Sequence, residues 1–192
     1  MNTLMHICCA PCANRPIDAL HQEGIAVTGF WFNPNIHPYT EYQARKRTLE
    51  DYSREIGMKL IIGGSYDLRT FICSVAGNID GRCAYCYRMR MEETARYAAE
   101  NGYDSFTTSL LVSPYQKHDA IAAIARQMGE QYGVEFLYRD FRPLFHAGQE
   151  FARAHGFYMQ KYCGCIFSEE DRYMAAKRKK KAARAAASQS TT

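Results

Sequence analysis

The sequence predicts an α/β fold of three layers, a mostly parallel sheet with helices on both faces. Three observations predict it. Short apolar runs rich in β-branched and aromatic residues alternate with longer amphipathic stretches along the chain. Glycines such as Gly24 and Gly57 stand where helical periodicity stops. No internal repeat or linker breaks the alternation, so residues 1–175 are expected to form a single α/β domain. Its 192 residues, 47% hydrophobic and 23% charged, suffice for one full core.

The elements follow in order. "TLMHI" (3–7) reads as a buried strand running into cysteines. A helix is expected over roughly 14–23, with Pro16 in its first turn. "IAVTGFWF" (25–32) is a second strand, closed by the loop "NPNIHPYT" (33–40). Thr40 is the expected N-cap of an amphipathic helix over 41–57. "MKLIIGG" (58–64) is a third strand and "LRTFICSVA" (68–76) a short helix. The loop "GNIDGR" leads into a long helix over 83–102. "YDSFTTSLL" (103–111) is a fourth strand, 117–132 a helix, "VEFLYRDF" (134–141) a fifth strand, and 147–156 a helix. Ser168 is expected to cap a final helix opening on "SEEDR".

In such folds ligands collect where parallel strands end. "CCAPC" (8–12) follows strand one, "NPNIHPY" (33–39) strand two and "SLLVSPYQ" (109–116) strand four. That shared edge is the expected site.

Charge is uneven. The formal net charge is +4, yet "KRKKKAAR" (177–184) carries six basic residues and no acidic one, leaving 18 basic against 20 acidic elsewhere. An anionic partner must therefore meet a local patch or this tail. The tail, 176–192, is expected to be frayed or disordered. No apolar run reaches the ~18 residues of a membrane span. "MNTLMHI" lacks a basic n-region and a long apolar h-region, so the chain is read as cytoplasmic.

That compartment decides how the cysteines are read, because cytosolic thiols are kept reduced. Of eight cysteines, seven fall in three clusters, Cys8, Cys9 and Cys12; Cys83 and Cys86; Cys163 and Cys165. Cys73 stands alone and is expected to pack. Cys83 and Cys86, three apart on a helix, present both sulfurs on one face beside Arg82 and Arg88. Gly164 lets the chain fold tightly between Cys163 and Cys165. A tetrahedral zinc site or a [4Fe–4S] cluster needs four ligands. The surplus implies a second metal, a redox-active pair, or both. Donor type leaves zinc and iron–sulfur open. The irregular spacings and the surplus thiols, which suit electron transfer, favour iron.

Five stretches, "CCAPC" (8–12), "NPNIHPYTEYQAR" (33–45), "RCAYCYRMR" (82–90), "TTSLLVSPYQKH" (107–118) and "YCGC" (162–165), resemble the QueH-type epoxyqueuosine reductases, in that family's order. The resemblance implies a fold like the adenine nucleotide alpha-hydrolase (HUP) group. It implies reduction of epoxyqueuosine to queuosine at the wobble position of tRNA, the last step of queuosine synthesis. It also implies a [4Fe–4S] cluster, with a second mononuclear iron beside it, and neither cobalamin nor ATP. Carried onto this chain, it makes Cys8, Cys9, Cys83 and Cys86 the cluster ligands. Cys163 and Cys165 become a redox-active pair, joined as a disulfide when oxidised, or ligands to the second iron. Cys12 would complete that second site. An electron donor is required, of unspecified identity.

Removing the epoxide oxygen as water takes two electrons and two protons. Tyr115, His37 and His118 are the candidate proton donors. Tyr39, Tyr42 or Tyr115 would stack on an unstacked base, and Arg45, Lys46, Arg47 and Lys117 would meet phosphate. Two other readings compete: a zinc-stabilised nucleic-acid-binding module without redox activity, and a thiol metallochaperone or redox sensor.

Overall fold

The computed structural model describes residues 1–175. The basic tail and the expectations attached to it lie outside the described residues.

Five strands form one all-parallel sheet in the order β3-β2-β1-β4-β5. They are β1 (Asn2–His6), β2 (Ala26–Trp31), β3 (Leu60–Ile62), β4 (Ser105–Thr108) and β5 (Glu135–Phe136). β1 pairs with β2 from Asn2↔Ala26 to His6↔Phe30, and with β4 from Thr3↔Ser105 to His6↔Thr108. Residues of β1 and β4 are buried on both faces, which is why these strands read as continuous apolar or small-residue runs.

Among the described residues, helices α1 (Ala10–Gln22), α2 (Tyr39–Glu55), α3 (Leu68–Val75), α4 (Arg82–Glu100), α5 (His118–Tyr132) and α6 (Phe145–Ala154) connect and cover the strands, and a further helix begins at 166. The chain runs outward from β1 to β2 and β3 by way of α1 and α2, then back across to β4 and β5 by way of α4 and α5, with crossovers of the right-handed kind expected of parallel strands. The first pair thus covers one face and the second pair the other, with α6 against α1 and α4 along α5. The reversal of direction lies between β1 and β4, the place where this architecture opens a crevice for ligands.

Boundaries differ from the sequence reading at four places that matter. α1 begins at Ala10, so Pro11 occupies its first turn, Cys12 lies inside it, and Pro16 falls in its interior. Pro16 has no N–H for the carbonyl of Cys12, four residues back, and the early start survives because Pro11 is pre-set for a helix entrance. α2 begins at Tyr39 behind Pro38, which makes no side-chain cap; Thr40 is already inside the helix. "VEFLYRDF" contributes only Glu135 and Phe136 to the sheet, paired with Ser105 and Phe106, and the chain leaves the edge there although β4 continues to Thr108. The last helix is under way at 166, so Ser168 lies in its first turn rather than capping it.

Candidate metal centre

β1 delivers its thiols at the switch point. Cys9 adopts extended backbone (φ −174°, ψ 154°) as the residue before α1, which ends the strand's alternation and lets the neighbouring sulfurs converge. The Cys12 N–H bonds to the Cys9 carbonyl at 3.3 Å, folding the first turn of α1 over that residue. The Sγ atoms of Cys8, Cys9 and Cys12 all lie within 4.8 Å of one another, and those of Cys8 and Cys9 are 3.8 Å apart. All three residues are buried. The positive end of the α1 dipole points at them, which favours anionic sulfur.

Their protons are shared unequally. Hydrogen bonds from Cys12 and then Cys9 hold Cys8 well below the usual thiol value, despite burial and with help from the Arg90 charge. Burial pushes Cys9 up. Cys12 is pushed up first by its bond to Cys8 and then by its bond to Cys9. Within the trio, Cys8 is the sulfur most favoured as thiolate.

A second set faces a small enclosed cavity of about 50 Å³ lined by Cys83, Cys86, Cys163, Cys165, Asn35 and Arg90 among others. Cys83 and Cys86 project from the first turns of α4, and Cys163 and Cys165 come from the segment that closes over them. Burial raises Cys86 to about 11, opposed by Arg90. Every cysteine is a free thiol, Cys163 and Cys165 included, so the structure holds no disulfide between them.

Each thiol group sits under carboxamide donors. Gln160 Nε2 reaches Cys9 Sγ at 3.0 Å and Cys12 Sγ at 3.4 Å. Gln116 Nε2 reaches Cys163 Sγ at 3.1 Å, and Asn35 Nδ2 reaches Cys86 Sγ at 3.1 Å. The Ser109 hydroxyl adds a 3.7 Å contact to Cys8 Sγ and accepts from the Cys8 N–H. Such donors stabilise sulfur as thiolate. None of these residues was singled out from the sequence; Asn35 and Gln116 lay inside quoted motifs, but nothing local marks an amide that points at sulfur.

The edge itself is tied by His6. Its Nδ1 lies 2.9 Å from Thr108 Oγ1, which also accepts from the Leu110 N–H, and its Nε2 lies 3.3 Å from both the Phe32 carbonyl and Asn33 Oδ1. The network assigns a neutral ring with the proton on Nε2. Burial, then Arg90, lowers this histidine to about 4, consistent with that tautomer.

The "YCGC" segment is held by a buried ion pair. Arg45 Nε donates to Glu41 Oε1 at 2.7 Å, while its Nη1 and Nη2 donate to the carbonyls of Cys163 (2.9 Å) and Tyr162 (3.0 Å). The Tyr158 hydroxyl donates to the other oxygen of Glu41, and the Tyr162 hydroxyl to the His37 carbonyl at 2.6 Å. The His37 N–H bonds to the Gly164 carbonyl at 2.7 Å. Arg45 is only 1% exposed, so the expectation that it meets RNA phosphate is corrected: it is an internal clamp. Its charge is met there by Glu41, one turn earlier on α2, also buried.

The remaining expected residues are scattered. Tyr42 is buried edge-on against Trp31 and is not free to receive a base. Tyr39 is 55% exposed, and Lys117 and Arg47 are exposed. Tyr115 is 86% exposed with its ring edge-on against Phe145, while the next residue, Gln116, carries the contact to Cys163. His37 is buried, its Nδ1 accepting from the Ile166 N–H at 3.3 Å, and burial followed by Arg90 lowers it to about 4. His118 is bonded through Nε2 to the Tyr138 hydroxyl at 3.0 Å. Cys73 is exposed and apart from the thiol groups, so it is not the packed residue expected.

A family model described as "Epoxyqueuosine reductase QueH" matches residues 3–171, from the first strand through the last cysteine cluster. The chain belongs to the QueH family. A QueH protein of Dehalococcoides mccartyi is 39% identical over 170 residues, covering 88% of this chain and 93% of the relative. QueH of Histophilus somni is 34% identical, covering 88% and 72%, and QueH of Thermotoga maritima is 31% identical, covering 86% and 88%. Among solved structures, a "predicted subunit of tRNA methyltransferase" from Methanocaldococcus jannaschii aligns with a TM-score of 0.50. It covers 82% of this chain and 89% of that one at 12% identity, a likeness of fold alone. The QueH match thus spans every thiol of both groups.

Proposed function

We propose that this protein reduces epoxyqueuosine to queuosine at the wobble position of tRNA. The observation that carries the reading is a pair of thiol sets in a QueH-family chain: Cys8, Cys9 and Cys12 gathered within 4.8 Å after β1, and Cys83, Cys86, Cys163 and Cys165 lining one cavity. A purely structural zinc knot accounts for four of them.

The donor set fits an iron–sulfur cofactor. Soft thiolates under N–H donors, in a pocket roofed by the 158–165 segment, are what such a cluster requires. Cys8 and Cys9 from the β1 turn, with Cys83 and Cys86 from α4, are the proposed ligands of a [4Fe–4S] cluster. Two pairs on separate elements suit a cluster, whose four irons spread its ligands. Cys12, Cys163 and Cys165 are left for a second iron or for a dithiol couple. When bound, these groups supply the two electrons that epoxide removal consumes.

The chain's own residues do the rest. Gln160, Gln116 and Asn35 donate N–H to the sulfurs and orient them, favouring the thiolate form against the burial that raises Cys9 and Cys86. Arg45 and Glu41 fix the closing segment so that Cys163 stays at the cavity. His6 keeps the three strand ends in register without carrying charge. Tyr115, exposed beside Gln116, is the proposed proton donor or base platform, and Tyr39, Lys117 and Arg47 offer further contact to RNA. No helix among the described residues is long and apolar enough to cross a membrane.

The deciding experiment is an anaerobic incubation of iron-loaded protein with epoxyqueuosine-containing tRNA and a chemical reductant, followed by nucleoside analysis. Conversion to queuosine is expected. Persistence of the epoxide with fully loaded protein would falsify the assignment.

A further inference from the structure

Among the described residues, two arginines are buried to 2% exposure or less, and they are paired very differently. Arg45 has a carboxylate, Glu41. Arg90 has none among the described residues: its Nε and Nη2 both donate to one neutral oxygen, Asn35 Oδ1, at 3.1 and 2.8 Å. A guanidinium taken out of water without an anion is strongly disfavoured. Its natural counter-charge is the sulfur it faces. Arg90 lines the cavity with Cys83, Cys86, Cys163 and Cys165, and its charge also reaches Cys8 in the other thiol group.

The contact to Asn35 does more than hold the arginine. A guanidinium has only donors, so it forces the oxygen of the Asn35 amide toward itself and the N–H₂ away. That leaves Asn35 Nδ2 aimed at Cys86 Sγ, 3.1 Å distant. Arg90 sits four residues after Cys86 on α4, on the same face, so one helix supplies both the sulfur and the cation that acts on it. Asn35, 1% exposed, comes from the loop after β2 and closes the circuit.

We propose that Arg90, acting directly and through Asn35, is the positioning residue that raises the reduction potential of the thiolate-held centre. The inference deepens the iron–sulfur reading above and rests on it. A thiolate-ligated cluster is anionic, and each electron it accepts adds negative charge. A buried cation and an N–H···S bond both stabilise the reduced form. No group touching substrate is required for this role.

The test is an anaerobic redox titration of reconstituted wild type, Arg90→Met, Arg90→Lys and Asn35→Leu, with iron and sulfide measured on each. Arg90→Met is expected to lower the reduced-to-oxidised ratio at fixed potential at least tenfold, about 59 mV for a one-electron couple. Asn35→Leu should move it the same way, and Arg90→Lys, which keeps the charge, should stay closer to wild type than Arg90→Met. A loaded Arg90→Met or Asn35→Leu protein that titrates with wild type overturns the inference. Should Arg90→Met take up no cluster, Asn35→Leu decides: a lowered ratio supports the relay and an unchanged one ends it. Wild type that assembles no cluster removes the iron–sulfur reading first, before any variant is compared.

Discussion

Several polar side chains at this site donate to sulfur or to the backbone of the segments that carry sulfur, and single substitutions should separate their roles. Cys83→Ser and Cys86→Ser remove proposed cluster ligands and are expected to abolish the broad absorption near ~400 nm of anaerobically prepared protein. Cys165→Ser should keep most of that colour, and equal loss in all three would show that the roles are not divided as proposed. Arg45→Met leaves Glu41 buried without its cation and two carbonyls without donors. Breaking a buried pair in this way costs roughly 3–5 kcal/mol, read as a lower denaturant midpoint. Arg45→Lys, with charge but no fork, should fall between. The inward position of Arg45 was not legible, since the same (i, i+4) spacing from a carboxylate places Lys46 and Arg96 at the surface. Nor was the role of Arg90, since an arginine four residues from a cysteine looks the same whether it faces solvent or sulfur.

At the scale of elements, a strand end, the start of a helix and a tight turn deliver the thiols. The turn is the most constrained. Gly164 has φ 151°, a region that side chains avoid, and a Cβ there would stand 3.3 Å from Ile36 Cγ1 and 3.4 Å from Arg45 Nη1. Gly164→Ala is expected to cost about 1–3 kcal/mol of local strain and to loosen the 158–165 segment. Limited proteolysis checks this: cleavage in that segment should quicken several-fold while the sheet stays protected. The α1 boundary shows why elements were only partly legible. Pro16 looked like a helix entrance, but Pro11 filled that place, and the earlier start is what lays Cys12 over Cys9. β5 was shorter than its apolar run: it pairs only at Ser105 and Phe106 of β4, and strand pairing at a sheet edge is not recorded in local sequence.

For the whole molecule, pH tests how far the site's polar groups are built into the core. His6 and His37 are each lowered to about 4, chiefly by burial and then by Arg90. Unfolded histidines take up protons near pH ~6.5. Their neutral state therefore supports the fold above that value, and the support is lost as pH falls from about 6.5 toward 4. At about pH 5 the two together should remove up to roughly 4 kcal/mol. Denaturant midpoints of metal-free protein compared at about pH 7.5 and 5 measure it; equal midpoints would contradict these placements.

What the sequence determined by itself was the alternation that makes a parallel α/β sheet, the edge where loops carry chemistry, and the clustering of thiols into three short segments. These are local properties, set by periodicity, turn residues and spacing within a dozen positions. Tertiary structure alone decided which sulfurs face one another, that Arg45 clamps a segment more than a hundred residues away, and that Arg90 is buried with no carboxylate partner among the described residues. Those outcomes depend on crossovers that bring β1, α4 and the last cysteines to one place. No local pattern records them, because a side chain's partner is chosen by the packing of the layers and not by its neighbours in sequence.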